Sequence, residues 1–147
     1  MDLIPDLSNA YKLQLSMFLE ENRLESFKKW VFDDDQPCNA AKMAEAGFYS
    51  TATKSDPDLV QCFLCSKPLD GWDAKDNPWE EHLSHSKTCT FAKLKLPEEE
   101  LTCVQFAAIR KEQLQNVYKK HFADLIQDRK DAWDEFCASI EEVAKMK

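Results

Sequence analysis

Gln61-Cys62-Phe63-Leu64-Cys65-Ser66, taken with His82 and Cys89 downstream, is the stretch that decides the fold. The spacing is Cys-x2-Cys-x16-His-x6-Cys. A Cys-x2-Cys turn aims two thiolates at one point, and a zinc ion takes four sulfur or nitrogen ligands in a tetrahedron. Three Cys and one His leave no coordination position for water, so the ion they hold is structural and not catalytic. His85 stands three residues after His82 and is a second candidate for the nitrogen ligand. Spacing alone does not choose between the two. The remaining cysteines, Cys38, Cys103 and Cys137, stand singly and read as small buried hydrophobes.

The 147 residues suggest one compact domain plus an extension. A net charge of −8 disfavours contact with nucleic-acid phosphates and suits a basic or amine-bearing partner. No apolar run approaches the ~18 residues of a membrane helix. The N-terminus lacks the basic-then-apolar pattern of a secretory signal. The expected setting is intracellular, where thiols stay reduced and a zinc site is the natural use of clustered cysteines. A RING would need a second set of paired cysteines, which Cys38, Cys103 and Cys137 do not form.

The chain has two glycines, Gly47 and Gly71, too few for a turn-rich all-β fold. All six prolines fall within residues 1–97, and residues 98–147 contain neither Pro nor Gly. The expected class is therefore α+β: an N-terminal segment over 1–17, a small zinc domain over 18–97, and one long helix over 98–147. Within the domain, the pattern predicts helix from Leu19 to Trp30, with Leu24, Phe27 and Val31 at helical spacing. A helix over Ala40–Ala46 is capped by Asn39 and ended by Gly47. Strands are expected at 47–49, 60–63 and 67–72, and a short helix opens at Pro78.

Thr102 and Gln105 form a capping box for the long helix. Apolar residues then recur mostly at spacings of three and four: Phe106, Ile109, Leu114, Val117 or Tyr118, Phe122, Leu125 or Ile126, Trp133, Phe136, Ile140 and Val143. Some forty residues reach roughly 60 Å, well beyond a domain of this size. A projecting helix with an apolar seam needs a partner to cover it.

The pattern Arg23, Phe27, Trp30, Ala46-Gly47-Phe48, Asp58, Cys62-x2-Cys65, Gly71-Trp72, Pro78, Glu81-His82, His85 and Cys89 resembles a baculoviral inhibitor-of-apoptosis repeat, a BIR domain, over about residues 18–95. A single such domain followed by one long helix is similar to the survivin group of that family. The resemblance implies a three-stranded antiparallel sheet with short helices. It gives one structural Zn2+ to Cys62, Cys65, His82 and Cys89, which releases His85.

It also implies a peptide groove beside the strand that follows the zinc turn, bound by strand addition. Asp70 and Asp76 can take a free α-amino group, Trp72 can wall a small pocket, and Leu69 packs its rim. In survivins the positions matching Lys67 and His85 contact a phosphate on the third residue of the peptide. Such donors suit a phosphoryl group. The implied ligand is a core histone tail that begins with Ala and is phosphorylated on a third-position threonine. The long helix would join borealin-like and inner-centromere-protein-like helices, with Phe122, Trp133 and Phe136 in the bundle. This would carry an Aurora-type kinase to the centromere, kinetochore and spindle midzone from a nuclear and cytoplasmic pool. Survivins also form a homodimer near the domain–helix junction, where Leu101 and Phe106 are the candidates and Cys103 replaces the usual leucine. The alternative is an apoptosis regulator whose groove takes caspases or their Ala-starting antagonists. Neither reading makes the protein an enzyme or a direct DNA binder.

Overall fold

The computed structural model describes residues 7–145, apart from the side chains at 143 and 144. Residues 1–6 and the Val143 side chain, both part of the sequence reading, lie outside the described residues. In chain order the elements are α1 (Asn9–Ser16), α2 (Glu20–Glu25), α3 (Ala40–Glu45), β1 (Phe48–Ser50), β2 (Val60–Cys62), β3 (Pro68–Leu69), α4 (Pro78–His85) and α5 (Thr90–Leu94). A 3-10 turn at Glu98–Glu100 leads into α6 (Cys103–Lys145). The three strands form one antiparallel sheet in the order β1-β2-β3, with Phe48 opposite Cys62 and Val60 opposite Leu69. The α+β class and the sheet are as the sequence reading expected.

Helix α3 starts where the Asn39 side chain accepts the Lys42 N–H at 2.9 Å and ends at Gly47, whose φ of 92° suits glycine. The core behind the sheet is Met43, Phe48, Val60, Phe63, Leu64 and Phe91, all fully buried. Each large side chain contributes on the order of 1.5–3 kcal/mol of burial energy. The Phe91 ring is gripped on two sides, edge-on by Phe63 at 5.0 Å and stacked on Trp79 at 5.2 Å.

Arg23 is the polar pin of this core. It has no exposed surface and donates to the carbonyls of Ala44, Met17 and Phe18 at 2.8, 3.1 and 2.7 Å. Its guanidinium also lies over the Phe63 ring at 4.7 Å.

The helix expected from Leu19 to Trp30 is shorter than its pattern suggested. After Glu25 the backbone switches to i→i−3 bonds, Ser26 to Arg23, Phe27 to Leu24 and Trp30 to Phe27. The Ser26 hydroxyl draws the chain aside by accepting the Ser50 N–H at 2.8 Å. Phe27 is buried, while Leu24 and Val31 remain exposed. Helix α1, within the segment read as 1–17, is an element the pattern did not reveal.

The capping box of α6 forms as expected: Gln105 Oε1 accepts the Thr102 N–H at 2.9 Å, and Thr102 Oγ1 accepts the Gln105 N–H at 3.3 Å. With 43 residues the helix runs about 64 Å. Its two halves live in different surroundings. Ile109, Gln113, Val117 and His121, one turn apart, are buried against the domain. Gln113 Nε2 donates to Gln14 O of α1 at 2.7 Å, and Asn116 Nδ2 donates to Leu64 O in the zinc turn at 3.1 Å. Gln113, not the expected Leu114, faces inward, because it has the Gln14 carbonyl to satisfy. Beyond residue 121 the helix carries Phe122, Ile126, Trp133, Phe136 and Ile140 on its open surface, each about half exposed or more.

Candidate metal centre and adjoining groove

Cys62 ends β2, Cys65 closes the turn after it, His82 sits on α4, and Cys89 precedes α5. Ser66, at φ 59°, turns the chain back immediately after Cys65. The turn is held by the Ser66 N–H donating to Cys62 O at 3.1 Å and by the Cys62 sulfur accepting the Leu64 N–H at 3.3 Å. The four ligand atoms all lie within 4.8 Å of one another. Zinc–sulfur bonds of about 2.3 Å and zinc–nitrogen bonds of about 2.0 Å set tetrahedral donors at similar separations. The donor set, three sulfurs and one imidazole nitrogen, is that of a closed structural zinc.

The choice between the two histidines follows from hydrogen bonding. His82 is fully buried and its Nδ1 donates to Ala46 O at 2.8 Å. That bond fixes the tautomer and leaves Nε2 facing the cluster, 3.6 Å from Cys65 Sγ. His85, one turn on, is 53% exposed and points away into the neighbouring groove. Burial pushes the Cys62 thiol well up, while hydrogen bonds with Cys62 and Cys89 hold the Cys65 thiol down. A divalent cation at the centre supplies the charge that keeps such a buried set deprotonated. One structural Zn2+ is therefore the cofactor. Its place is to hold β2, α4 and α5 together.

Beside the metal lies a groove of about 320 Å3. Lys67, Leu69, Asp70, Trp72, Asp76 and His85 all line it. These are the six groove residues expected from the sequence, and the fold brings them to one place. β3 is the outer strand of the sheet, so its free edge is open to an added strand. Asp58, read only as a signature residue, holds the far end of that edge: its Oδ2 accepts the N–H groups of Gly71 and Trp72 at 2.8 and 2.9 Å. Asp76 Oδ2 accepts the Asp73 N–H at 2.8 Å, which fixes the loop opposite Asp70. The Trp72 ring meets Phe48 edge-on at 5.5 Å, and its buried Nε1–H has no partner among the described residues.

One groove residue was missed. Glu81 lines it too, with Oε2 3.4 Å from His85 Nε2. The i,i+4 spacing on α4 carried that signal. A wider depression of about 500 Å3 between Asp35, Lys42 and Trp79 holds none of the expected site residues.

The helix candidates divide by position. Leu101 and Phe106 are half-buried against their own domain, with the Phe106 ring 4.8 Å from Phe18. Phe122, Trp133 and Phe136 belong to the exposed distal half. Of the lone cysteines, Cys38 is buried and Cys137 half-buried, but Cys103 is exposed at the first turn of α6 and is not the small buried hydrophobe its isolation in the sequence suggested.

The family model for the BIR, the Inhibitor of Apoptosis domain, matches residues 23–93. The chain is 43% identical over 116 residues to Baculoviral IAP repeat-containing protein 5 of Cavia porcellus, covering 79% of each. It is 38% identical over 131 residues to the protein of the same name in Rattus norvegicus, covering 89% of this chain and 92% of that one. Among solved structures, the first BIR domain of DIAP1 bound to a Grim peptide matches 51% of this chain and 71% of that chain, with a TM-score of 0.44 and 29% identity. With its candidate zinc ligands, sheet and long helix placed as they are, the chain belongs to the BIR family of inhibitor-of-apoptosis proteins, as a survivin-like member.

Proposed function

We propose that this protein is a non-enzymatic adaptor that reads a peptide N-terminus in the groove beside β3 and gathers partner helices along the distal half of α6. The single observation that carries the reading is the convergence of Asp70, Asp76, Trp72, Lys67 and His85 on one groove next to a free strand edge. Two carboxylates at one end suit a charged α-amino group. The Trp72 wall leaves room for a small first side chain. Lys67 and His85 at the other end suit a phosphoryl group two residues further on. The ligand is a core histone tail that starts with Ala and is phosphorylated on its third-position threonine. The helices on α6 are borealin-like and inner-centromere-protein-like, and the assembly places an Aurora-type kinase at centromeres for chromosome segregation and cytokinesis. Zinc takes no part in chemistry, because four protein ligands fill its coordination.

The test is a titration of an Ala-starting histone-tail peptide in three forms: unmodified, phosphorylated at the third residue, and acetylated at the amine. Tighter binding of the phosphorylated form, abolished by acetylation, is expected. Equal affinity with and without phosphate removes Lys67 and His85 from the reading and leaves the groove to Ala-starting antagonists of caspase control. Survival of binding after acetylation removes Asp70 and Asp76.

A further inference from the structure

The distal half of α6 carries an apolar repeat with one break in it. Phe122, Ile126, Trp133, Phe136 and Ile140 fall on alternating steps of four and three residues, provided the step between Ile126 and Trp133 is filled by residue 129. Position 129 is an arginine. The five apolar residues are exposed, and so is Arg129. The positions beside this seam are Ala123, Leu125, Ala132, Cys137 and Ser139, all short or apolar, and Lys130, a second cation next to Arg129, so the face is wide and basic at this layer. The opposite face is acidic, with Asp128, Asp131, Asp134, Glu135, Glu141 and Glu142.

Arg129 has no carboxylate of its own helix to pair with. The residues one turn away are Leu125, Ile126, Ala132 and Trp133, and Arg129 makes no ion pair among the described residues. Any helix that covers this seam therefore buries a guanidinium in a layer between Ile126 and Trp133. A buried charge is tolerated when a partner neutralises it, and a single polar residue in such a seam fixes register and partner.

We propose that Arg129 selects the occupant of this face: an amphipathic helix that carries a carboxylate in its own apolar seam, at the layer facing Arg129. A second copy of this chain, packed parallel and in register, sets two Arg129 side chains against each other and is rejected. This rests on the reading that the distal half of α6 takes partner helices, and adds what such a helix must carry.

The experiment titrates the full zinc-loaded chain with fluorescent heptad-repeat peptides. They have Leu at every seam position except one, which carries Glu, Gln or Lys opposite Arg129. The Glu peptide is expected to bind about tenfold or more tightly than the Lys peptide, and Arg129→Glu is expected to reverse the order. Arg129→Leu alone is expected to self-associate through the helix, seen by sedimentation, at concentrations where the natural chain does not. If Glu and Lys peptides bind equally while Trp133→Ala weakens both, the face takes helices but Arg129 does not choose them, and the inference falls alone. If no peptide binds and Arg129→Leu does not associate, the docking reading falls with it.

Discussion

Replacing Gly47 by alanine tests how the core and the metal centre are joined. Gly47 has φ 92°, and a Cβ placed there meets two carbons of the Phe91 ring at 2.9 Å and one of the Phe63 ring at 3.3 Å. The left-handed backbone costs a non-glycine residue about 1–2 kcal/mol. The overlap adds about 1–3 kcal/mol, because Phe91 is held edge-on by Phe63 and stacked on Trp79 and has nowhere to go. Gly71 is the internal control. Its φ is 75°, but a Cβ there meets nothing within 4 Å, so Gly71→Ala costs only the backbone share. Gly47→Ala is thus expected to destabilise by about 2–5 kcal/mol and Gly71→Ala by about 1–2 kcal/mol. Denaturant unfolding of the zinc-loaded chain measures both. Gly47 also sits between two supports of the metal: the carbonyl of Ala46 accepts from His82 Nδ1, and that of Gly47 accepts the Phe63 N–H at 3.1 Å. Moving this backbone turns the carbonyl that orients the imidazole. A loss of about 10–100-fold in zinc affinity follows, read by competition with a chromophoric chelator. If the two glycine variants lose equal stability, or if Gly47→Ala binds zinc as tightly as the natural chain, the core and the metal centre are not coupled through Gly47.

Three further outcomes follow from the same structure. His82→Ala is expected to lose bound zinc and cooperative unfolding, whereas His85→Ala keeps one zinc per chain by metal analysis; loss of zinc in both would return the fourth ligand to doubt. Arg23→Met removes the donor from three buried carbonyls, at Ala44, Met17 and Phe18, and is expected to cost about 3–5 kcal/mol in denaturant unfolding; a loss under about 1 kcal/mol would deny Arg23 its place as the core's pin. Burial raises the Tyr49 hydroxyl to about 12 from its ordinary 10.0. The folded value lies above the unfolded one, so the neutral form stabilises the fold fully below pH 10, and that contribution, on the order of 2–3 kcal/mol, is lost as pH rises from 10 through 12. Absorbance titration of tyrosinate should show a class ionising near 12, and unfolding midpoints should fall steeply over that interval.

What the sequence displayed and what it hid differ by the range of the interaction. The zinc cysteines, the Asn39 cap and the Thr102–Gln105 box are legible because each joins residues close in the chain or tied by one metal's geometry. The spacing left the fourth ligand open between His82 and His85, and the buried contact of His82 with the Ala46 carbonyl, 36 residues away in the chain, is what decides it. Helix α1 was not legible. Its buried residues are Tyr11 and Gln14, while Leu13 is 48% exposed, so the apolar period marks the wrong face. Gln14 Nε2 donates to Phe63 O at 3.2 Å, and Gln14 O accepts from Gln113 across 99 residues. A glutamine reads as surface until both partners are known. The same holds for the inner face of α6, where Gln113 and His121 are buried among Ile109 and Val117. These bonds change what the composition shift near residue 97 means. It marks where proline and glycine stop, but the first half of α6 is bonded to the carbonyl of Leu64, within the turn that holds Cys62 and Cys65. Gln14 from α1 holds the neighbouring carbonyl of Phe63. The metal turn thus anchors the base of the projecting helix as well as the edge of the groove. Releasing the zinc removes the support of both surfaces at once, and a chain stripped of metal is expected to lose its peptide and its partner helices together rather than one at a time.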